Sequence, residues 1–278
     1  MNVLKVDLQA SNAAELFTRS LHETGFGVLV NHGIPDKMVQ NVYREWKKFF
    51  DSERKNDFLY DPKEQDGYFP IGQETAKGEK IADIKEFYHV YPGKRIPDEL
   101  REVTFELRTC LYDLAKELLV MVQSQLPESV TVNFDRSLKE MVSNKRTLFR
   151  ILHYPPLKGS ETPDATRAKP HEDINLITLL PAASKNGLQV KDTQGRWHEV
   201  PCDFGSISVN TGDMIDMVTR GYLPATTHQV TNPEGEAARQ ERMSIPLFLH
   251  PKADVILKPG FTADDFLTQR LKEIGLMG

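Results

Sequence analysis

Three side chains have the types and spacing of a metal centre. His171 and Asp173 stand in His171-Glu172-Asp173, just before a β-prone run, and residues i and i+2 of an extended chain point to the same face. His228 follows 55 residues after Asp173, inside Thr226-Thr227-His228-Gln229-Val230, another β-prone run. Two neutral imidazoles and one carboxylate make a facial triad that grips Fe(II) and leaves three coordination positions open. A bidentate co-substrate can fill two of these and O2 the third, whereas a four-ligand zinc site leaves no such room. His32, His153 and His198 read as structural histidines.

Arg242-Met243-Ser244 stands 14 residues after His228. It puts a guanidinium and a hydroxyl on one face of a strand, a good receptor for the distal carboxylate of a dicarboxylic acid. An isolated Arg-x-Ser would read as a surface ion pair; its place after the second histidine gives it meaning.

The elements that must position these groups follow from hydrophobic period. A helix is expected over 12–24, a strand over 26–30 and a helix from Asp36, which can cap it, through Val39, Val42, Trp46 and Phe49. Residues 51–97 show charge, Gly and Pro without sustained period, apart from a strand at 86–90. From Pro97, at a first-turn position, Val103, Leu107, Leu111, Leu114, Leu118 and Val122 keep helical period to Leu126, giving the longest helix. After Leu148, β-prone runs at 149–154, 175–180, 188–191, 206–209, 214–218, 226–231 and 242–249 alternate with turn residues such as Gly187 and Gly212-Asp213, and a last helix spans 264–274 with Thr262 as its cap. That rhythm predicts a β-sandwich or jelly roll, not a βαβ fold. Residues 232–240 read as a looped hairpin, and Trp46 and Trp197 as packing residues.

Composition limits the partners. The 278 residues are 39% hydrophobic and 27% charged, with a net charge of −5 and no basic block, which argues against nucleic acid as main partner. No 18-residue apolar run and no leader pattern occur, so a membrane span and secretion are not expected. Two cysteines, Cys110 and Cys202, build neither a disulfide framework nor a cysteine-rich metal site, and a cytoplasmic location fits.

With these residues in order, the chain resembles the isopenicillin N synthase-like branch of the iron(II)/2-oxoglutarate-dependent dioxygenases. His-x-Asp, His and Arg-x-Ser come in the family's sequence. Gly25-Phe26-Gly27, Asn31-His32-Gly33-Ile34, Leu179-Leu180, Gly187-Leu188-Gln189-Val190, Gly195-Arg196-Trp197, Val209-Asn210-Thr211-Gly212-Asp213 and Phe248-Leu249-His250-Pro251 are similar to family segments, so the likeness runs from about Val6 to Pro251. The resemblance implies an α+β chain: a double-stranded β-helix (jelly roll) core over 146–252, an N-terminal α/β segment over 1–92 and a long supporting helix, in one oxygenase domain over 1–278. It implies that 2-oxoglutarate chelates Fe(II) through its C1 carboxylate and 2-oxo group, with Arg242, Ser244 and Tyr154 on its C5 carboxylate. The implied reaction consumes O2, releases succinate and CO2, and hydroxylates, desaturates or cyclises a small organic substrate, with ascorbate as a support.

Departures limit the transfer to the metal and co-substrate anchors: a long interval from His228 to Arg242, Leu152 for a commonly polar residue, Glu172 where Thr or Ser is frequent, and Thr219-Arg220-Gly221 where Thr-Asn-Gly is common. Two alternatives remain at this level. One is an Fe(II) oxidase of the same family that does not use 2-oxoglutarate; the other is a non-catalytic jelly-roll protein binding a metal or ligand.

Overall fold

The computed structural model describes residues 1–73, 81–162, 165–201 and 203–273; Cys202, Ile274 and part of the 57–81 stretch lie outside them. The chain runs β1 (Lys5–Asp7), α1 (Ala13–Thr24), β2 (Phe26–Val30), α2 (Asp36–Phe50), a 3-10 turn (Glu53–Phe58), β3 (Gly67–Phe69), β4 (Glu86–Val90) and α3 (Asp98–Gln125). Two short helices, α4 (Glu128–Thr131) and α5 (Leu138–Met141), lead to β5 (Leu148–Tyr154), β6 (Ala168–His171), β7 (Ile177–Pro181), β8 (Leu188–Lys191), β9 (Trp197–Glu199) and β10 (Ile207–Thr211). Then come α6 (Asp213–Val218), β11 (His228–Val230), a 3-10 turn (Gly235–Arg239), β12 (Arg242–Ser244), β13 (Leu247–Leu249), β14 (Ile256–Lys258), β15 (Phe261–Thr262) and α7 (Ala263–Glu273).

These strands form a jelly roll. The major sheet has the order β1-β2-β10-β7-β13-β5-β4-β3, with β12 also on β5, and the minor sheet the order β6-β11-β8-β9. Apolar side chains from both, Phe26 and Val28 with Leu188, Val190 and Val200, pack into one buried cluster. On the other face of the major sheet lies α3, whose Leu107, Leu111, Leu118 and Val122 share a core with Ile151, Ile177, Leu179, Val209 and Leu247. Trp46, fully buried on α2, donates its indole N–H to Thr104 Oγ1 of α3 at 2.9 Å and so ties the two helices together.

The two-residue period of the strands decides what faces the inside of the roll. On β5, Phe149 and Ile151 join the helix-side core, while Leu152 and Tyr154 pack with Phe69 and Phe87 in a separate cluster. On β7, β10 and β12, Ile177 and Leu179, Ile207 and Val209, and Met243 take the helix side. Their neighbours Thr178, Asn210, Arg242 and Ser244 are left for the interior, where each is also buried.

Several expectations need correction. The run 214–218 is helical: Asp213 and Met214 donate their backbone N–H groups to the carbonyls of Asp173 and Asn175, and these tertiary partners fix a turn that a short apolar run cannot signal by itself. The stretch 242–249 is two strands, broken at Ile245-Pro246 because Pro246 has no N–H for the ladder. Residues 232–240 hold a 3-10 turn and no hairpin. Asp36 makes no side-chain cap; it is the first helical residue after Pro35. The irregular 51–97 stretch contains a further strand, β3, paired with β4. Thr262 does cap α7, its Oγ1 accepting from the Asp265 N–H at 3.2 Å.

His250, buried beside this core, gives the fold a testable pH response. Burial, then the nearby Arg146 charge, lowers its pKa to about 4, with Asp173 pulling the other way. The unfolded chain takes up that proton near pH 6.5, the folded chain only near 4. The neutral ring's contribution is therefore full above about pH 6.5 and drains as pH falls toward 4, by up to about 1.4 kcal/mol per pH unit. The His250→Gln protein should lose less stability than the parent between pH 7 and pH 5 in urea titrations. Equal losses in the two proteins would refute this.

Candidate metal centre

His171 ends β6 and His228 begins β11, and the two are cross-strand partners in the minor sheet. Asp173 lies two residues beyond β6, in the link to β7, so the expected same-face relation on one strand is replaced by a turn that carries the carboxylate back. One donor atom from each of the three residues lies within 4.8 Å of the others. His171 Nε2 is 3.9 Å and His228 Nε2 3.7 Å from Asp173 Oδ1.

The remaining atoms of the three groups are committed elsewhere. His171 Nδ1 lies 2.7 Å from the Lys169 carbonyl and His228 Nδ1 3.1 Å from the Thr226 carbonyl. A carbonyl only accepts, so each Nδ1 carries the proton and each Nε2 offers its lone pair. Asp173 Oδ2 accepts from Thr178 Oγ1 at 2.5 Å and from Asn210 Nδ2 at 2.8 Å, which leaves Oδ1 facing the two Nε2 atoms. Two neutral imidazoles and one carboxylate, oriented by outer hydrogen bonds, are a donor set suited to a first-row divalent cation such as Fe(II).

Electrostatics favour the metal-binding protonation states. Deep placement among protein atoms, then the neighbouring His228 ring, lowers the His171 pKa to about 4, although 40% of that side chain still faces the mouth of the site. For Asp173 burial works to raise the pKa, but the two histidines, Asn210 and Thr178 outweigh it and the net shift is downward.

The Asp173 link is held by α6. The N–H of Asp213 donates to the Asp173 carbonyl at 2.7 Å and that of Gly212 to the Leu176 carbonyl at 2.9 Å. A Cβ at residue 212 would stand 2.4 Å from the Asn175 carbonyl oxygen and 2.7 Å from that of Asp173, so glycine is what permits this approach. Arg270 of α7 bonds Asp213 at 2.7 Å, which fixes the C-terminal helix to the same corner.

The Arg-x-Ser pair lies on β12 beside β5, with Arg242 opposite Tyr154 and Ser244 opposite Leu152. Arg242 donates from Nε to the Lys185 carbonyl at 3.0 Å and from Nη1 to Ser244 Oγ at 3.4 Å. Its guanidinium carbon lies 5.1 Å from the centroid of the Tyr154 ring. Of the six candidate residues, Asp173, His228, Arg242, Ser244 and Tyr154 are buried, while His171 is partly exposed.

The other histidines have structural partners. His153 Nδ1 pairs with Glu86 Oε1 at 2.7 Å, His198 Nε2 with Asp192 Oδ2 at 2.7 Å and His32 Nε2 with the Gly205 carbonyl at 3.2 Å. Reasoning from sequence missed Thr178 and Asn210. Their alternation with Leu179 and Val209 would have placed them on the inner face, had the strand order been known.

Asn210→Ala removes one of the two hydrogen bonds that hold the Asp173 carboxylate. Loss of such an outer partner costs about 10- to 100-fold in metal affinity, and a competition titration with a metal-binding dye should read that loss for Fe(II). An unchanged dissociation constant would show that Thr178 alone orients the carboxylate.

Comparisons with known proteins point to one family. The sequence profile of the 2OG-Fe(II) oxygenase superfamily matches residues 139–251, and that of the non-haem dioxygenase N-terminal region matches residues 4–106. A crystal structure of a protein assigned as an oxygenase from Shewanella oneidensis is 46% identical, with all of both chains covered and a TM-score of 0.90. A protein assigned to the 2OG-Fe(II) oxygenase family from Caulobacter crescentus is 30% identical, covering 98% of this chain and 99% of that one, with a TM-score of 0.80. The proline hydroxylase buaE of Petromyces alliaceus is 28% identical over 90% of this chain and 86% of its own length.

Proposed function

This chain belongs to the 2OG-Fe(II) oxygenase superfamily, and on that premise we propose that His171, Asp173 and His228 hold its iron while Arg242, Ser244 and Tyr154 hold the C5 carboxylate of 2-oxoglutarate. The enzyme is a non-haem Fe(II)-dependent oxygenase that couples oxidative decarboxylation of 2-oxoglutarate to oxidation of a small organic substrate. The observation that carries the residue assignment is the convergence of three donor atoms within 4.8 Å, each with its companion atom already hydrogen-bonded.

When bound, Fe(II) and 2-oxoglutarate supply the oxidising chemistry: 2-oxoglutarate, O2 and a substrate C–H bond give succinate, CO2 and the hydroxylated product. The protein's own residues prepare that chemistry. The Lys169 and Thr226 carbonyls keep both imidazoles in the Nε2-donor tautomer, and Thr178 and Asn210 hold the carboxylate so that only Oδ1 faces the two rings. Arg242 and Ser244 offer N–H and O–H donors to a carboxylate, with the Tyr154 ring as one wall. Burial of Arg242 to 1% exposure excludes competing water and strengthens its pull on an anion.

We treat residues 1–278 as one oxygenase domain, with 1–92 as the N-terminal segment and 146–252 as the catalytic core; support comes from β1 to β4 lying in the same sheet as β5, β7, β10 and β13. We place the enzyme in the cytoplasm, a reading supported by its two cysteines. Among the described residues no helix is long and apolar enough to cross a membrane.

The test is to load the protein anaerobically with Fe(II), add 2-oxoglutarate and air, and follow O2 uptake and succinate together. Matched consumption and release is the expected result. Oxygen uptake without matching succinate would overturn the co-substrate assignment.

A further inference from the structure

Arg167 lies four residues before His171 and is buried to 1% exposure. Among the described residues it has no carboxylate partner: one Nη donates to the Gln240 carbonyl at 2.8 Å, and its Nε–H is buried without an acceptor. Buried cations are normally paired, because an isolated one loses its hydration for nothing. Arg108, buried to 3%, also has an Nε–H without an acceptor, but it places its Nη atoms on three oxygens of Asn144 and Thr147. Arg167 has only one.

Its surroundings explain what it faces. The guanidinium carbons of Arg167 and Arg242 lie 5.9 and 5.1 Å from the same Tyr154 ring centroid, so they are within about 11 Å of each other. Arg242 has no carboxylate partner among the described residues either; its bonds go to the Lys185 carbonyl and Ser244. Two like charges therefore sit together at the end of the roll assigned to the co-substrate tail, in a setting too dry to screen them. An anion placed there is attracted by both and relieves their mutual repulsion.

We propose that Arg167 is the second cation of the co-substrate pocket and makes it selective for 2-oxo acids that carry a distal carboxylate. This inference rests on the reading of Arg242, Ser244 and Tyr154 as the C5-carboxylate anchor. Arg167 is enclosed, so it acts through its charge and not by direct contact. It also ties the connection before β12 in place, because its backbone N–H donates to Asn232 Oδ1 and its side chain to Gln240. The long interval between His228 and Arg242 is thus fastened to the strand that carries His171.

The experiment is calorimetric titration of the anaerobic Fe(II)-loaded protein with 2-oxoglutarate and, separately, with 2-oxobutanoate, which keeps the 2-oxo acid end and lacks the distal carboxylate. Arg167→Met should weaken 2-oxoglutarate by about tenfold or more while leaving 2-oxobutanoate unchanged, and Arg167→Lys should restore most of the loss. Equal effects on both ligands, or none on either, would reduce Arg167 to a structural tie and overturn the proposal. Should the Met variant fold poorly, Arg167→Gln against Arg167→Lys makes the same comparison, since both side chains are polar and only one is charged. Arg242→Ala is measured in parallel. If it weakens 2-oxoglutarate and the Arg167 variants do not, only the second cation falls; if Arg242→Ala has no effect, the anchor reading falls with it.

Discussion

Asp173→Ala, loaded anaerobically with Fe(II) and given 2-oxoglutarate and air, should release succinate only at the background rate of the metal-free protein, while its urea midpoint stays close to that of the parent. Asp173 supplies the one negative charge among the three donors, and without it two neutral imidazoles must hold a doubly charged ion. The fold should survive because the change cuts both ways. The charge-assisted bonds from Thr178 and Asn210 are lost, at about 1.5–3 kcal/mol each, but a buried carboxylate no longer has to be desolvated. We expect a net loss under about 1 kcal/mol, against a loss of turnover limited only by detection. Succinate formation by this variant at more than about a tenth of the parental rate would exclude Asp173 as a ligand.

Arg242→Ala should raise the KM for 2-oxoglutarate by about 10- to 100-fold with a much smaller change in kcat, as loss of a charge-assisted anchor worth about 1.5–3 kcal/mol requires. The anchor lies on β12 of the major sheet whereas both imidazoles lie on strands of the minor sheet, so the metal site should keep its affinity for Fe(II). Arg242→Lys should recover only part of the loss, because an ammonium cannot reproduce the planar fork and would have to reach both the Lys185 carbonyl and Ser244. An unchanged KM in the alanine variant would mean that the C5 carboxylate binds elsewhere. A fall in Fe(II) affinity equal to the fall in 2-oxoglutarate affinity would mean that the substitution had disturbed the roll as a whole.

The candidate residues were legible in the residue order: His171, Asp173 and His228 by donor type and spacing, and Arg242-Met243-Ser244 by its place after them, and the structure brings the first three within 4.8 Å of one another. The strands and helices with strong period, such as 26–30, 86–90, 188–191 and the long helix after Pro97, were legible for the same reason: a regular apolar repeat is a local property. The failures had local causes too. Residues 214–218 are apolar enough for a strand, yet the carbonyls of Asp173 and Asn175 capture the N–H groups that start α6. The break between β12 and β13 was marked by Pro246, which outweighs the β-prone residues on either side.

The sequence by itself determined the donor chemistry, the alternation of inner and outer side chains along each strand and the apolar stripe of α3, because all three depend on residue type and near spacing. Only the tertiary structure decided which groups meet: Asn210 and Thr178 on one carboxylate oxygen, two backbone carbonyls setting the imidazole tautomers, and Arg167 and Arg242 both near the Tyr154 ring. These contacts join strands distant in the chain, and they depend on sheet order and register, which the pattern along any single strand does not contain.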